Sequence, residues 1–439
     1  MKFLKPFVGV SVLVAGLAAC SDSVDPKDKL RGERISVLAF ESKIEADPRL
    51  GQVPVRLPRP YVNENWSQPG GYASHAMHHL MLDGPLKERW AAGIGIGAWD
   101  YGKLLVPPIV VGDVVFAADA EGHVSAFDLK SGKRFWTRNV SIRGEDPDEN
   151  VGGGLAYGDG RLYISTGLGF VIAVEARTGN ALWHRKIGLP FRAAPTFHDG
   201  RVYVISHDNQ LFALDAKNGE TLWEHAALVE AAGLLGNSSV AVEDDIVIAP
   251  FTSGEVVALR AENGKVLWQD SLTRTGRLTS LSTLADIAGR PVIDRGLVFA
   301  ASHAGRLVAI DLRTGERVWT RSIASTQTPW VAGDYLFVVT VEAKMVCLNR
   351  ADGRVRWVAE LAQYEDPEDQ EDPIVWSGPA LGSNRLIAVS SHGKAVSVSP
   401  YTGEIKGQVD IREGSFIPPV IARRTLIILN DEGEMIAYR

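Results

Sequence analysis

One ten-residue pattern is written seven times along this chain. The copies begin at Phe127 (FDLKSGKRFW), Val174 (VEARTGNALW), Leu214 (LDAKNGETLW), Leu259 (LRAENGKVLW), Ile310 (IDLRTGERVW), Leu348 (LNRADGRVRW) and Val398 (VSPYTGEIKG), and a shorter echo, LKERW, ends at Trp90. A near-constant period of about 40–50 residues, built from strand–turn–strand units, is the signature of a β-propeller. A 439-residue chain would otherwise suggest two or three domains; a closed repeat array makes it one body.

Each unit has the same grammar. An apolar run, often led by proline (Pro107-Pro108-Ile109-Val110), precedes a turn and a β-branched strand (Val114-Val115-Phe116). A Glu121-Gly122 turn leads into His123 to Leu129, and Lys130-Ser131-Gly132 leads into the tryptophan strand. Four short strands, A to D, result, with the apolar content of strands buried between stacked sheets. The glycine of the C–D turn can take the positive φ that a short hairpin needs. The acid before it (Asp128, Glu175, Asp215, Asp311) sits where a carboxylate can bond turn amides. The tryptophans (Trp90, Trp136, Trp183, Trp223, Trp268, Trp319, Trp357) offer flat surfaces to pack between blades. The seventh copy has Gly407 instead, so one blade junction should be less well filled.

Seven complete units end at Gly407. Ile417 to Arg439 then supplies three strands, and the orphan fourth strand is Leu86 to Trp90. Joining them predicts an all-β, eight-bladed propeller of four-stranded blades over 85–439, its last blade closed by an N-terminal strand and two sheet edges removed.

The N-terminal segment carries an address. Residues 1–20 have Lys2 and Lys5, an apolar stretch Phe7 to Leu17, and the end Leu17-Ala18-Ala19-Cys20. This reads as a signal peptide over 1–19 with a lipobox, making Cys20 the lipidated first residue of the mature protein. Several acyl chains on one residue give stable anchoring. Ser21 after the cysteine suggests the outer membrane. Removing 1–19 takes two lysines and no acid, so the mature chain is two charges more negative than the formal −7. That balance argues against nucleic-acid binding.

Residues 20–84 fall outside the repeat and read as a lipidated tether followed by a proline-rich extended segment lying on the body. His75, His78 and His79 would share a face if helical, at a spacing metals use, but no carboxylate or cysteine joins them nearby; a segment packed on the propeller is expected, without a metal. Cys347, the one cysteine beyond the leader, alternates with apolar neighbours and reads as buried. Length variation concentrates in the D–A links: 141–150, 269–289 and 358–378, the last with the acidic run Glu365 to Asp372. Insertions in repeat proteins gather on the binding face; the acidic run reads as a solvated loop.

The A-x-D-x-x-T-G-x-x-x-W pattern resembles the pyrroloquinoline-quinone-type propeller repeat, over roughly 86–439. With a lipobox, a short tether and nothing else, the chain resembles the BamB family, lipoproteins of the β-barrel assembly machinery. That resemblance implies a non-enzymatic scaffold without a cofactor, a monomeric subunit of the Bam complex on the periplasmic face of the outer membrane. It would bind BamA and assist assembly of outer-membrane β-barrel proteins, with unfolded clients as further partners. The family's contact loop, Leu-x-Leu-Arg before Ala-Pro-Thr, is matched by Leu189-Pro190-Phe191-Arg192 before Ala194-Pro195-Thr196. Its second loop, Asp-x-Asp before a strand-A proline, is matched at Asp286 but has Ala288 at the second acid. Leu189, Phe191, Arg192 and Asp286 are therefore expected to form an exposed partner-binding patch. The same repeat also resembles quinoprotein dehydrogenases, whose quinone, Ca²⁺ and adjacent Cys-Cys would need residues this chain does not show. A propeller lipoprotein with another envelope partner is the remaining alternative.

Overall fold

Short apolar strands that alternate with two-residue turns can only bury both faces by stacking sheet on sheet, and here eight sheets do so in a ring. The computed structural model describes residues 44–439 apart from 52, 99–103, 105, 141–151, 230–237 and 274–285. Cys20 and the leader lie outside the described residues, as do the 141–150 link and most of the 269–289 link. Blade 1 comprises Ile109–Val111, Val114–Ala118, His123–Asp128 and Arg134–Asn139, paired in that order and antiparallel. Blades 2 to 7 repeat the meander, ending in Ala181–Lys186, Thr221–Ala226, Val266–Ser271, Arg317–Arg321, Val355–Glu360 and Ile405–Asp410. Blade 8 takes Val420–Ala422, Thr425–Leu429 and Glu434–Tyr438 from one end of the chain and Glu88–Gly93 from the other. Trp90 pairs with Ala437 across that splice. The eight-bladed architecture expected from the repeat is the one observed.

The junctions explain the ten-residue pattern. Trp90 of blade 8 lies on Gly132 in the C–D turn of blade 1, where an added Cβ would come within 2.7 Å of the indole. Gly132 also has φ +70°, so two constraints select glycine at once. The same seat recurs down to Trp357 on Gly403 of blade 7. The indole N–H then donates to a carbonyl of the next blade: Trp90 to Leu129 (2.9 Å), Trp223 to Ala261 (2.9 Å), Trp268 to Leu312 (2.8 Å) and Trp357 to Pro400 (3.0 Å). Each of these four tryptophans thus buries a large apolar area and satisfies its one polar atom. The acids before the turns bond turn amides, Asp128 to Ser131 N and Asp311 to Thr314 N, both at 2.8 Å. Cys347 is buried opposite Trp357, and burial pushes its thiol pKa well up.

Residues 61–82 form a belt across the ring. The chain meets the blades in circular order. Asn63 O accepts from Arg423 N of blade 8, Asn65–Trp66 pairs with Val110–Val111 of blade 1, and Ser67 O accepts from Tyr157 N of blade 2. Gln68 accepts from Phe197 N of blade 3, Ala73 O from Val242 N of blade 4, and Ser74 O from Ile293 N of blade 5. His78 O accepts from Trp330 of blade 6, and Leu80 exchanges bonds with Leu381 and Ser383 of blade 7. The belt closes on itself where Tyr61 N donates to His79 O and Met81 N to Tyr61 O. Strand-A ends that would face solvent with open backbone groups are satisfied by this one segment. Met77, Leu80 and Leu82 fill the space beneath it.

Candidate partner-binding face

A meander puts the A–B and C–D turns on one face of the ring and the B–C turns and D–A links on the other. The belt lies on the first, along the strand-A ends. On the link face, large apolar side chains stay in solvent: Leu189 (46% exposed), Leu228 (65%), Val229 (69%), Val341 and Val375. Four of these five sit in D–A links and Val341 in a B–C turn. Exposed apolar groups occur on the outer D strands as well, among them Phe135, Leu182 and Leu222; contiguous ones mark interaction surfaces. The acidic run stands on the same side. It is a small hairpin, Tyr364–Asp366 with Glu371–Pro373, whose acids are exposed.

The expected contact residues divide. Leu189 is exposed, but Phe191 (0%) and Arg192 (6%) are buried, against the expectation of an exposed loop. The physical reason is that the link turns inward toward the ring axis. Phe191 N donates to Thr166 O, Phe191 bridges Ser206, and His207 N donates to Pro190 O at 2.7 Å. Asp286 is buried too, and its partner is Arg192: Nη1 lies 3.4 Å from Asp286 Oδ1, while Nη2 donates to Pro250 O at 3.3 Å. The two contact loops, 94 residues apart, are therefore clasped to each other across blades 3 and 4. Burial lowers the Arg192 pKa and the Asp286 carboxylate opposes that shift.

The three histidines do not converge. His75 bonds Pro291 O through Nδ1 (2.7 Å), His79 bonds Pro58 O through Nδ1 (2.6 Å), and His78 stands 3.7 Å from Asp294. His79 Nε2 accepts from Asn384 N, so its proton sits on Nδ1. Burial, then the nearby Arg290, takes the His75 pKa down to about 3. Arg290 is itself buried, its pKa held down to about 10 by desolvation. No motif announces Arg290; only its place beside the belt reveals it. Among the described residues no group of three or more His, Cys, Asp or Glu is placed to hold a metal, and no helix is long and apolar enough to cross a membrane.

Comparison with known proteins decides the family. The family model described as outer membrane protein assembly factor BamB matches residues 120–359. The chain belongs to the BamB family. The BamB of Escherichia coli K12 is 30% identical over 352 residues, 78% of this chain and 86% of that protein. An uncharacterised protein of Rickettsia conorii is 28% identical over 269 residues, and the match spans 61% of this chain but only 64% of that relative. The crystal structure of BamB from Moraxella catarrhalis superposes with a TM-score of 0.66 at 20% identity, covering 81% of this chain and all of that one. A quinohemoprotein alcohol dehydrogenase from Comamonas testosteroni reaches 0.64 at 13% identity, covering 85% of this chain and 80% of that one, a likeness of fold alone.

Proposed function

We propose that this chain is a non-enzymatic subunit of the β-barrel assembly machinery. In this reading residues 1–19 are removed, Cys20 carries the lipid anchor in the outer membrane, residues 20–84 tether and belt the body, and the propeller over 85–439 binds BamA through its link face. The supporting observation is the asymmetry of the ring. On one face the chain's own belt bonds the strand-A ends of every blade, whereas the other face presents Leu189, Leu228 and Val229 to solvent. Leu189 is the anchor that a partner would desolvate. Phe191, Arg192 and Asp286 act behind it, holding the link in shape. Names of the relatives support the complex, and the recurring blade acids, spent on turn amides, support a scaffold rather than a cofactor site.

The test is co-purification from detergent-solubilised envelopes. BamA should be recovered stoichiometrically with the wild-type chain and lost with a Leu189→Asp/Leu228→Asp variant of unchanged melting temperature. Recovery of a different envelope protein, equally lost in that variant, would keep the face and replace the partner. Cys20→Ala should release the protein from outer-membrane fractions.

A further inference from the structure

Seven blade junctions are filled by a tryptophan, and the eighth is not. In strand D of blade 7, Ile405–Asp410, every residue is exposed, and Gly407 occupies the tryptophan position. A Cβ built on Gly407 meets nothing within 4 Å. Between blades 7 and 8 lies a cavity of about 440 Å³, lined by Ile387, Val396, Ser397, Gly407, Val409 and Tyr438 among others. It is the seat of the missing indole.

The rest of the ring shows what such a seat takes. Its floor here is Ile387, paired with Ser397 as Ile248 pairs with Ala258 beneath Trp268 in blade 4. An isoleucine floor therefore accepts an indole. The residue directly across from the tryptophan is alanine in six junctions (Ala126, Ala173, Ala213, Ala258, Ala309, Ala437) and Cys347 in another. Across from Gly407 it is Ser397, whose Oγ is buried and has no hydrogen-bond partner. A buried hydroxyl without a partner is costly unless something supplies one. Ile405–Asp410 is also an outer strand, bonded on one side only, with Val409 60% exposed on the same face as Gly407. Such an edge accepts an added strand.

We propose that the blade 7–blade 8 junction is a binding site for an aromatic side chain bearing a polar tip, tryptophan or tyrosine, carried on an extended segment of a partner protein that lies along Ile405–Asp410. The ring enters the guest's indole or phenol where its own tryptophan is absent. Ser397 Oγ bonds the polar tip, and the segment's backbone pairs with the open edge. The site is independent of the link face and of BamA.

The probe is a fluorescein-labelled peptide of alternating threonine and serine with one central tryptophan, read by anisotropy against the purified full chain. It should bind about tenfold more tightly than the same peptide with central alanine. Gly407→Trp fills the seat from within and should abolish that preference while melting at or above the wild-type temperature. Ser397→Ala should weaken the tryptophan peptide several-fold and leave a phenylalanine peptide unchanged, which tests the site even if Gly407→Trp fails to fold. Absence of binding, equal binding of tryptophan and alanine peptides, or equal binding by wild type and a folded Gly407→Trp overturns the proposal. So does a concentration-dependent dimer that Gly407→Trp dissolves, since a second copy would then own the seat.

Discussion

The two faces of the ring use the same kinds of residue for opposite ends. On the belt face, Met77, Leu80 and Leu82 are apolar and buried, and the belt bonds all eight blades, seven of them through its backbone and blade 3 through the Gln68 side chain. On the link face, Leu189, Leu228 and Val229 are just as apolar and lie in water. Composition does not separate these groups; coverage by the chain itself does. One face is finished by intramolecular contacts and contributes to stability. The other carries its exposed apolar side chains in its links and, in the proposed function, takes the partner. Substitutions on the belt should therefore move folding, and those on the link surface should move binding.

The largest effect expected is on the belt side. Leu80→Ala should destabilise by about 4 kcal/mol, because a fully buried leucine leaves a cavity between Leu381 and the belt. Chemical denaturation measures it, and BamA capture by the folded fraction should be unchanged. A loss below about 1 kcal/mol would mean the belt is only draped over the ring.

Arg192→Ala tests the boundary between the faces. It leaves Asp286 buried without its guanidinium and should cost about 3 kcal/mol of stability. It should also weaken capture, through the loosened link that carries Leu189. Unchanged stability with lost capture would return Arg192 to the direct contact role its motif suggested.

A smaller effect depends on pH. With the His75 pKa depressed to about 3, the folded state holds it neutral, while the unfolded chain binds a proton below about 6.5. Its contribution is intact above that value and is lost progressively as pH falls toward 3. The loss is about 2 kcal/mol near pH 5. His75→Asn should flatten this part of the stability curve, since asparagine tolerates the φ of 60° found there and does not titrate. Parallel curves for variant and wild type would place the acid sensitivity elsewhere.

The smallest stability change belongs to Leu189→Asp, within about 0.5 kcal/mol, yet it should reduce BamA capture about tenfold. A stability-neutral variant with normal capture would remove Leu189 from the interface and break the contrast between the faces.

The blades were legible because every repeat carries its own copy of the message. Gly132 and Trp90 are 42 residues apart in sequence, and their contact could be anticipated from the pattern they share with six other pairs. The vacancy at Gly407 was legible for the same reason, as a departure from a rule. The belt was not. It has no period, and its path is set by eight strand ends that come from the whole chain. The burial of Phe191 and Arg192 was hidden as well. A motif can say that a loop matters, but whether a link faces solvent depends on how far it turns toward the axis. Asp286 was paired with Arg192 in expectation only as a neighbour at an interface; the ion pair between them is a property of the closed ring.

The splice in blade 8 sets a timetable for making the protein. Glu88–Gly93 has no sheet to join until Glu434–Tyr438 exists, and the belt cannot be satisfied before all eight innermost strands are present. Both are among the earliest parts of the body to be synthesised and the last to find their partners. A chain emerging N-terminus first must carry these apolar segments unpaired for most of its length, and contacts of such long sequence separation form slowly. The fold that closes so fully once assembled has, while incomplete, an open sheet edge in blade 8 and unsatisfied strand ends around the ring.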